Sequence, residues 1–84
     1  MSGKVTSLHG GPTYEKEPSP ACIEVLEELL AQAKAGEIVG IATAAMTHDG
    51  CGEWRIGGRV GGYSMLGAAD VMRAEIVDVV RGDT

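Results

Sequence analysis

From Glu37 to Thr47 the chain reads Ile38, Val39, Gly40, Ile41, Ala42, Thr43, Ala44, Ala45 and Met46, a β-branched and small-apolar run that predicts a strand. Side chains alternate across a strand, so Val39, Ile41 and Ala45 fall on one face and Ile38, Ala42, Ala44 and Met46 on the other. Both faces are apolar, and a strand of that kind has to be covered on both sides. The chain has only 84 residues with which to do it, a size at which a single core is marginal.

The cover available within the chain is two helices. Ser19 is placed to cap the first, Pro20 suits its first helical position, and Lys34 and Gly36 close it. Cys22, Leu26, Leu29, Leu30 and Ala33 form its apolar stripe, while Glu24, Glu27, Glu28 and Gln32 form a solvated face. The second helix is predicted from Ser64, as cap, to Arg81, with Gly82 as a stop. Met65, Leu66, Ala69, Met72, Ile76, Val79 and Val80 recur along it at helical spacing, and Ala68, Val71 and Val77 widen the apolar surface beyond one stripe.

Between the helices, His48-Asp49-Gly50-Cys51-Gly52 reads as a hairpin turn, since Asp-Gly supplies the positive dihedral angles such loops need. Glu53 to Gly58 returns as the second strand, with Trp54 and Ile56 on one face and Glu53 and Arg55 on the other. The predicted class is α+β: a two-stranded antiparallel hairpin flanked by two helices, in the order αββα. Residues 1–18, with Gly10-Gly11-Pro12, Pro18 and alternating charges, are expected to be a flexible N-terminal arm in which Val5 to Leu8 can add a short edge strand; residues 19–84 form the single domain.

Two helices cover only one face of a two-stranded hairpin. The surplus apolar surface of strand and second helix therefore predicts a homo-oligomer, a dimer or higher, with Ile38, Ala42, Ala44, Met46 and Val71 as its interface.

Composition excludes several functions. A net charge of -5 with no basic patch speaks against DNA or RNA binding, which draws its affinity from clustered Lys and Arg. No apolar run is long enough to span a membrane, and the polar first twenty residues lack the apolar centre of a signal peptide, so a cytoplasmic protein is expected. Cys22 and Cys51 are expected to be free thiols. His9, His48, Cys22 and Cys51 lack the close paired spacing of a structural zinc site, so no metal is assigned. His48, Asp49 and Cys51 are too close along one turn to serve as nucleophile and base, and Glu37 and Glu53 read as solubilising strand-end carboxylates. No catalytic residue, no cofactor and no enzymatic activity is predicted.

One segment invites a ligand. Gly57-Gly58-Arg59-Val60-Gly61-Gly62 precedes the second helix, and a glycine-rich turn at a helix start brings backbone amides close to an anion. It lacks the Lys-Ser/Thr ending of a Walker loop and the Gly-x-Gly-x-x-Gly register of a dinucleotide fold, and a structural corner is the competing reading. Trp54 and Arg55, with Arg59, Gly61, Gly62, Tyr63 and Ser64, complete the candidate ligand set, an aromatic face beside guanidinium groups being suited to a nucleobase. The competing reading of Trp54 is a core or interface residue in a chain without Phe.

Glu27-Glu28-Leu29-Leu30, the run from Ala33 to Ala42, Asp49-Gly50, Trp54 and Ser64 to Ala68 together resemble small bacteriophage and prophage proteins with a helix, a hairpin and a second helix. The resemblance carries no catalytic residues. It implies an accessory protein of the host cytoplasm, in a group that includes counter-defence factors resembling sponges, symmetric oligomers that sequester nucleotide signals without cleaving them. The expectation is thus a non-enzymatic homo-oligomer binding a small anionic or nucleotide-like ligand near the glycine-rich turn. The alternative is a protein-interaction module that docks a host or phage protein through the second helix and first strand.

Overall fold

The computed structural model describes residues 6–82. Its elements are β1 (Thr6–His9), α1 (Pro20–Lys34), β2 (Gly40–Met46), β3 (Cys51–Gly58) and α2 (Tyr63–Arg81). The α+β class and the α-β-β-α order are as expected. β1 adds a third strand, so that β3 lies in the middle of an antiparallel sheet ordered β1-β3-β2. Val5, which the sequence placed in that edge strand, lies outside the described residues.

The ends of α1 follow from local chemistry. Ser19 holds an extended backbone and its Oγ accepts from the Cys22 amide at 3.3 Å, with Pro20 in the first turn. At the other end Gly36 takes a left-handed φ of 80°. The Gly36 amide then donates to the Ala33 carbonyl at 3.1 Å and the Glu37 amide to the Gln32 carbonyl at 2.9 Å, the paired bonds of a Schellman stop.

The β2–β3 turn is tighter than predicted. The Thr47 amide donates to the Cys51 carbonyl at 2.8 Å and Gly50 takes a φ of 87°, so β3 begins at Cys51 rather than Glu53. The register pairs Ala42 with Ile56 and Ala44 with Trp54 on one face, and Thr43 with Arg55 and Ala45 with Glu53 on the other. The segment after β1 runs past this turn, its Gly11 amide donating to the Gly50 carbonyl at 3.0 Å and its Tyr14 amide to the His48 carbonyl at 2.7 Å. Gly50 is the one fully buried residue among residues 10–82.

The second helix starts two residues early. Gly62, in extended backbone (φ -176°), is the N-cap, which places Ser64 inside the helix rather than at its cap. Gly82 ends it with a left-handed φ of 75°.

Strand pairing is the only extended close packing between elements: neither helix lies along the sheet or along the other helix. No hydrophobic side chain among residues 10–82 is buried. The apolar stripe expected to form the core of α1 is half-buried only at Leu29, and α2 is half-buried only at Met65, Ala69, Val77 and Asp78. β2, expected to be enclosed on both faces, is half-buried over Gly40 to Thr43 and exposed over Ala44 to Met46. The physical reason is the distance of the helices from the sheet, since burial of either surface requires another element within side-chain reach. No helix among the described residues is long and apolar enough to cross a membrane.

Candidate functional site

The chain from Gly57 to Gly62 makes a corner between β3 and α2. Its first part is built by backbone contact. The Arg59 amide donates to the Val39 carbonyl at 2.9 Å, carrying the β2–β3 pairing one step beyond Gly58, which takes a left-handed φ of 75°. The two chains approach so closely that a Cβ on Gly58 would strike the Val39 carbonyl and one on Gly40 would strike the Arg59 carbonyl. Gly58 and Gly40 are glycines for reasons internal to the fold.

Gly61 and Gly62 are different. Neither has a positive φ, and a Cβ on either would meet nothing within 4 Å. Both border an open cavity of about 390 Å³ that Glu37, Ile38, Arg59, Ser64 and Met65 also line. The first intrahelical bond of α2 runs from the Leu66 amide to the Gly62 carbonyl at 3.2 Å, and Gly62 offers no capping side chain. The amides of Tyr63, Ser64 and Met65 precede that bond, so the positive end of the helix dipole stands uncapped at the cavity.

The structure divides the predicted ligand set. Arg59, Gly61, Gly62 and Ser64 come together at this cavity. Tyr63 begins the helix but is 91% exposed and is not part of the lining. Trp54 is half-buried in the middle of β3 beside Ala44, away from the cavity. Arg55 projects from the other face, with its guanidinium 3.9 Å from Glu53, two residues back on the same strand. The reason is pleat and distance: Trp54 and Arg55 lie four and five residues before Arg59 on a strand that carries them away from the corner.

Glu37 and Ile38 join the cavity although sequence assigned the first to a strand end and the second to an interface. The Schellman stop of α1 delivers them there, because it turns the chain sharply at Gly36 before β2 begins. The signal was in the sequence as Lys34 followed by Gly36, but it marks an end and says nothing of what lies opposite.

A second, larger and more enclosed groove of about 650 Å³ runs between α1 and β2. Cys22, Val25, Leu26 and Leu29 line it from the helix, the run from Ala42 to Met46 from β2, Glu53 and the predicted ligand residue Arg55 from β3, and Met72 from α2. Of the residues expected at an interface, Ala42, Ala44 and Met46 therefore share one groove, Ile38 lies in the other cavity, and Val71 is exposed on α2.

The hairpin turn carries the remaining polar chemistry. The Thr47 hydroxyl donates to the Asp49 carboxylate, which lowers the pKa of that carboxyl, with weaker help from its own backbone and from Cys51 and His48 against some desolvation. Desolvation pushes the Cys51 thiol up, and the neighbouring Asp49 charge pushes it further. Both cysteines are free, Cys22 exposed and Cys51 half-buried. No group of three or more His, Cys, Asp or Glu is gathered as metal ligands among the described residues.

No protein-family model, curated protein or solved structure matches this chain.

Proposed function

We propose that the protein binds a small anionic, nucleotide-like ligand at the cavity between the glycine-rich corner and α2, and sequesters it without chemical turnover. The observation that supports this most directly is the pairing of an uncapped helix start with Arg59 at a cavity bordered by two glycines that the fold itself does not require. Glycine there leaves the backbone amides open to a ligand's close approach, and the guanidinium adds a fixed positive charge and a planar donor fork. A volume of about 390 Å³ falls in the range of small-molecule sites.

Glu37 narrows the ligand class. A carboxylate at the same cavity disfavours a bare polyanion and favours a molecule that carries hydrogen-bond donors beside its charge, as a ribose hydroxyl does. The resemblance to small phage proteins supports the same reading, including a role as an accessory protein of the host cytoplasm. A second reading, docking of a host or phage protein, draws on the exposed apolar residues of α2 and the outer half of β2.

The test is a thermal-shift titration with inorganic phosphate, AMP and a cyclic dinucleotide. The proposal expects stabilisation by at least one nucleotide and little by phosphate, with the shift lost in Arg59→Ala. Absence of any shift across the three probes overturns it, as does a shift that survives Arg59→Ala unchanged.

A further inference from the structure

The protomer exposes far more surface than its mass allows for a finished fold. Its accessible surface is 6949 Å² at 8.7 kDa, against about 4,700 Å² for a folded monomer of that mass. Its radius of gyration is 14.0 Å, against about 12 Å for a compact chain of this length. The excess of roughly 2,200 Å² per chain far exceeds the ~800 Å² per partner of an ordinary complex and, doubled, lies in the range of obligate homodimers.

Exposed apolar side chains occur from Tyr14 to Val80, and one run of them on α2 is ordered at helical spacing. Met65, Ala69, Met72, Ile76 and Val79 follow one another on α2 at alternating spacings of four and three, the pattern of a seam that packs against a helix. Met65 and Ala69 are half-buried, whereas Met72, Ile76 and Val79 are exposed at 40%, 47% and 67%. The seam therefore loses its cover toward the C-terminal end of α2. Met72 also lines the groove between α1 and β2, so the seam adjoins a groove that is mainly apolar, with Thr43, Glu53 and Arg55 as its polar wall.

We infer that a second copy of this chain covers that surface, seating on the C-terminal half of α2 and in the adjoining groove between α1 and β2, and that each protomer's core is completed by its partner. A second copy is the occupant favoured by area, since the excess is larger than an ordinary docked partner covers and falls within what an obligate homodimer buries. The proposal concerns a different surface from the ligand cavity and stands or falls separately from it.

Static light scattering of the full chain measures the mass directly, and Cys22 reports on the groove. In Cys51→Ser protein, where Cys22 is the only thiol, the proposal expects a mass at least twice 8.7 kDa and slow reaction with a disulfide reagent that becomes fast in denaturant. Ile76→Glu and Val79→Glu should reduce the mass and speed the thiol reaction, while Glu28→Gln should change neither. A folded monomer with a fast-reacting Cys22 overturns the inference, including one whose groove fills only when a different protein is added. An oligomer whose mass and thiol protection are indifferent to Ile76→Glu and Val79→Glu overturns the placement.

Discussion

Glycine residues that look alike along the chain separate cleanly once their dihedral angles and neighbours are known. Gly58 combines a left-handed φ with a backbone contact that a Cβ would violate. Gly58→Ala is expected to destabilise by more than the ~1–2 kcal/mol of the dihedral alone, because the clash adds to it. Gly61→Ala meets neither obstacle, and by restricting the unfolded chain it should be neutral or stabilise by up to ~1 kcal/mol. If the amides at the corner receive a ligand, that same Gly61→Ala protein should bind it more weakly, so denaturation midpoint and ligand-induced thermal shift move in opposite directions. Gly57→Ala, equally unobstructed but remote from the cavity lining, should leave binding alone. Asp49 offers a test of the hairpin turn. Its folded pKa is depressed below the ordinary 3.8 by the Thr47 hydroxyl, so its contribution is complete above 3.8 and is lost as pH falls through the lower folded value. An NMR titration should find the Asp49 carboxyl midpoint below 3.8, and Thr47→Val should raise it.

At the scale of elements, what the sequence revealed was whatever is decided within a few residues. Ser19, Pro20 and Gly36 delimit α1 by hydrogen bonds that span three to five positions, and Asp49-Gly50 commits the chain to a hairpin for equally local reasons. The start of α2 slipped by two residues because a serine after two glycines looks like a cap, whereas the backbone turns at Gly62 and needs no side-chain acceptor to do so. β1 was only partly legible: four residues carry too little periodicity to distinguish an edge strand from an arm, and what holds it is the central strand it pairs with, 46 and 44 positions away in the pairing of Ser7 with Glu53 and Leu8 with Gly52. The ligand cavity was half legible for the same reason. Arg59 to Ser64 is contiguous and announces itself, but Glu37 arrives from the segment that leads into the neighbouring strand β2, and no local pattern pairs it with Arg59. Trp54 and Arg55, grouped with Arg59 by nearness in sequence, were carried elsewhere by the strand between them.

At the scale of the whole molecule, the apolar content of 44% reads as the makings of a core, yet none of the hydrophobic side chains among residues 10–82 is buried within one chain. Conformational entropy opposes folding by roughly 1–2 kcal/mol for every residue ordered, and helices in proteins draw most of their stability from packing an amphipathic face, which neither helix does closely against the sheet. If a second copy completes the core, as inferred above, folding and association are one transition between a folded dimer and two unfolded chains, with no folded monomer between them. Such a transition depends on concentration: each tenfold increase stabilises the dimer by about 1.4 kcal/mol. With an unfolding entropy of about 2.1 cal/mol/K per residue over two chains, this corresponds to roughly 4 °C in Tm per decade of protein concentration. Calorimetry or circular dichroism across two decades should show that slope with a single transition, and a melting temperature that is flat over the same range would mean that the single chain completes its own core.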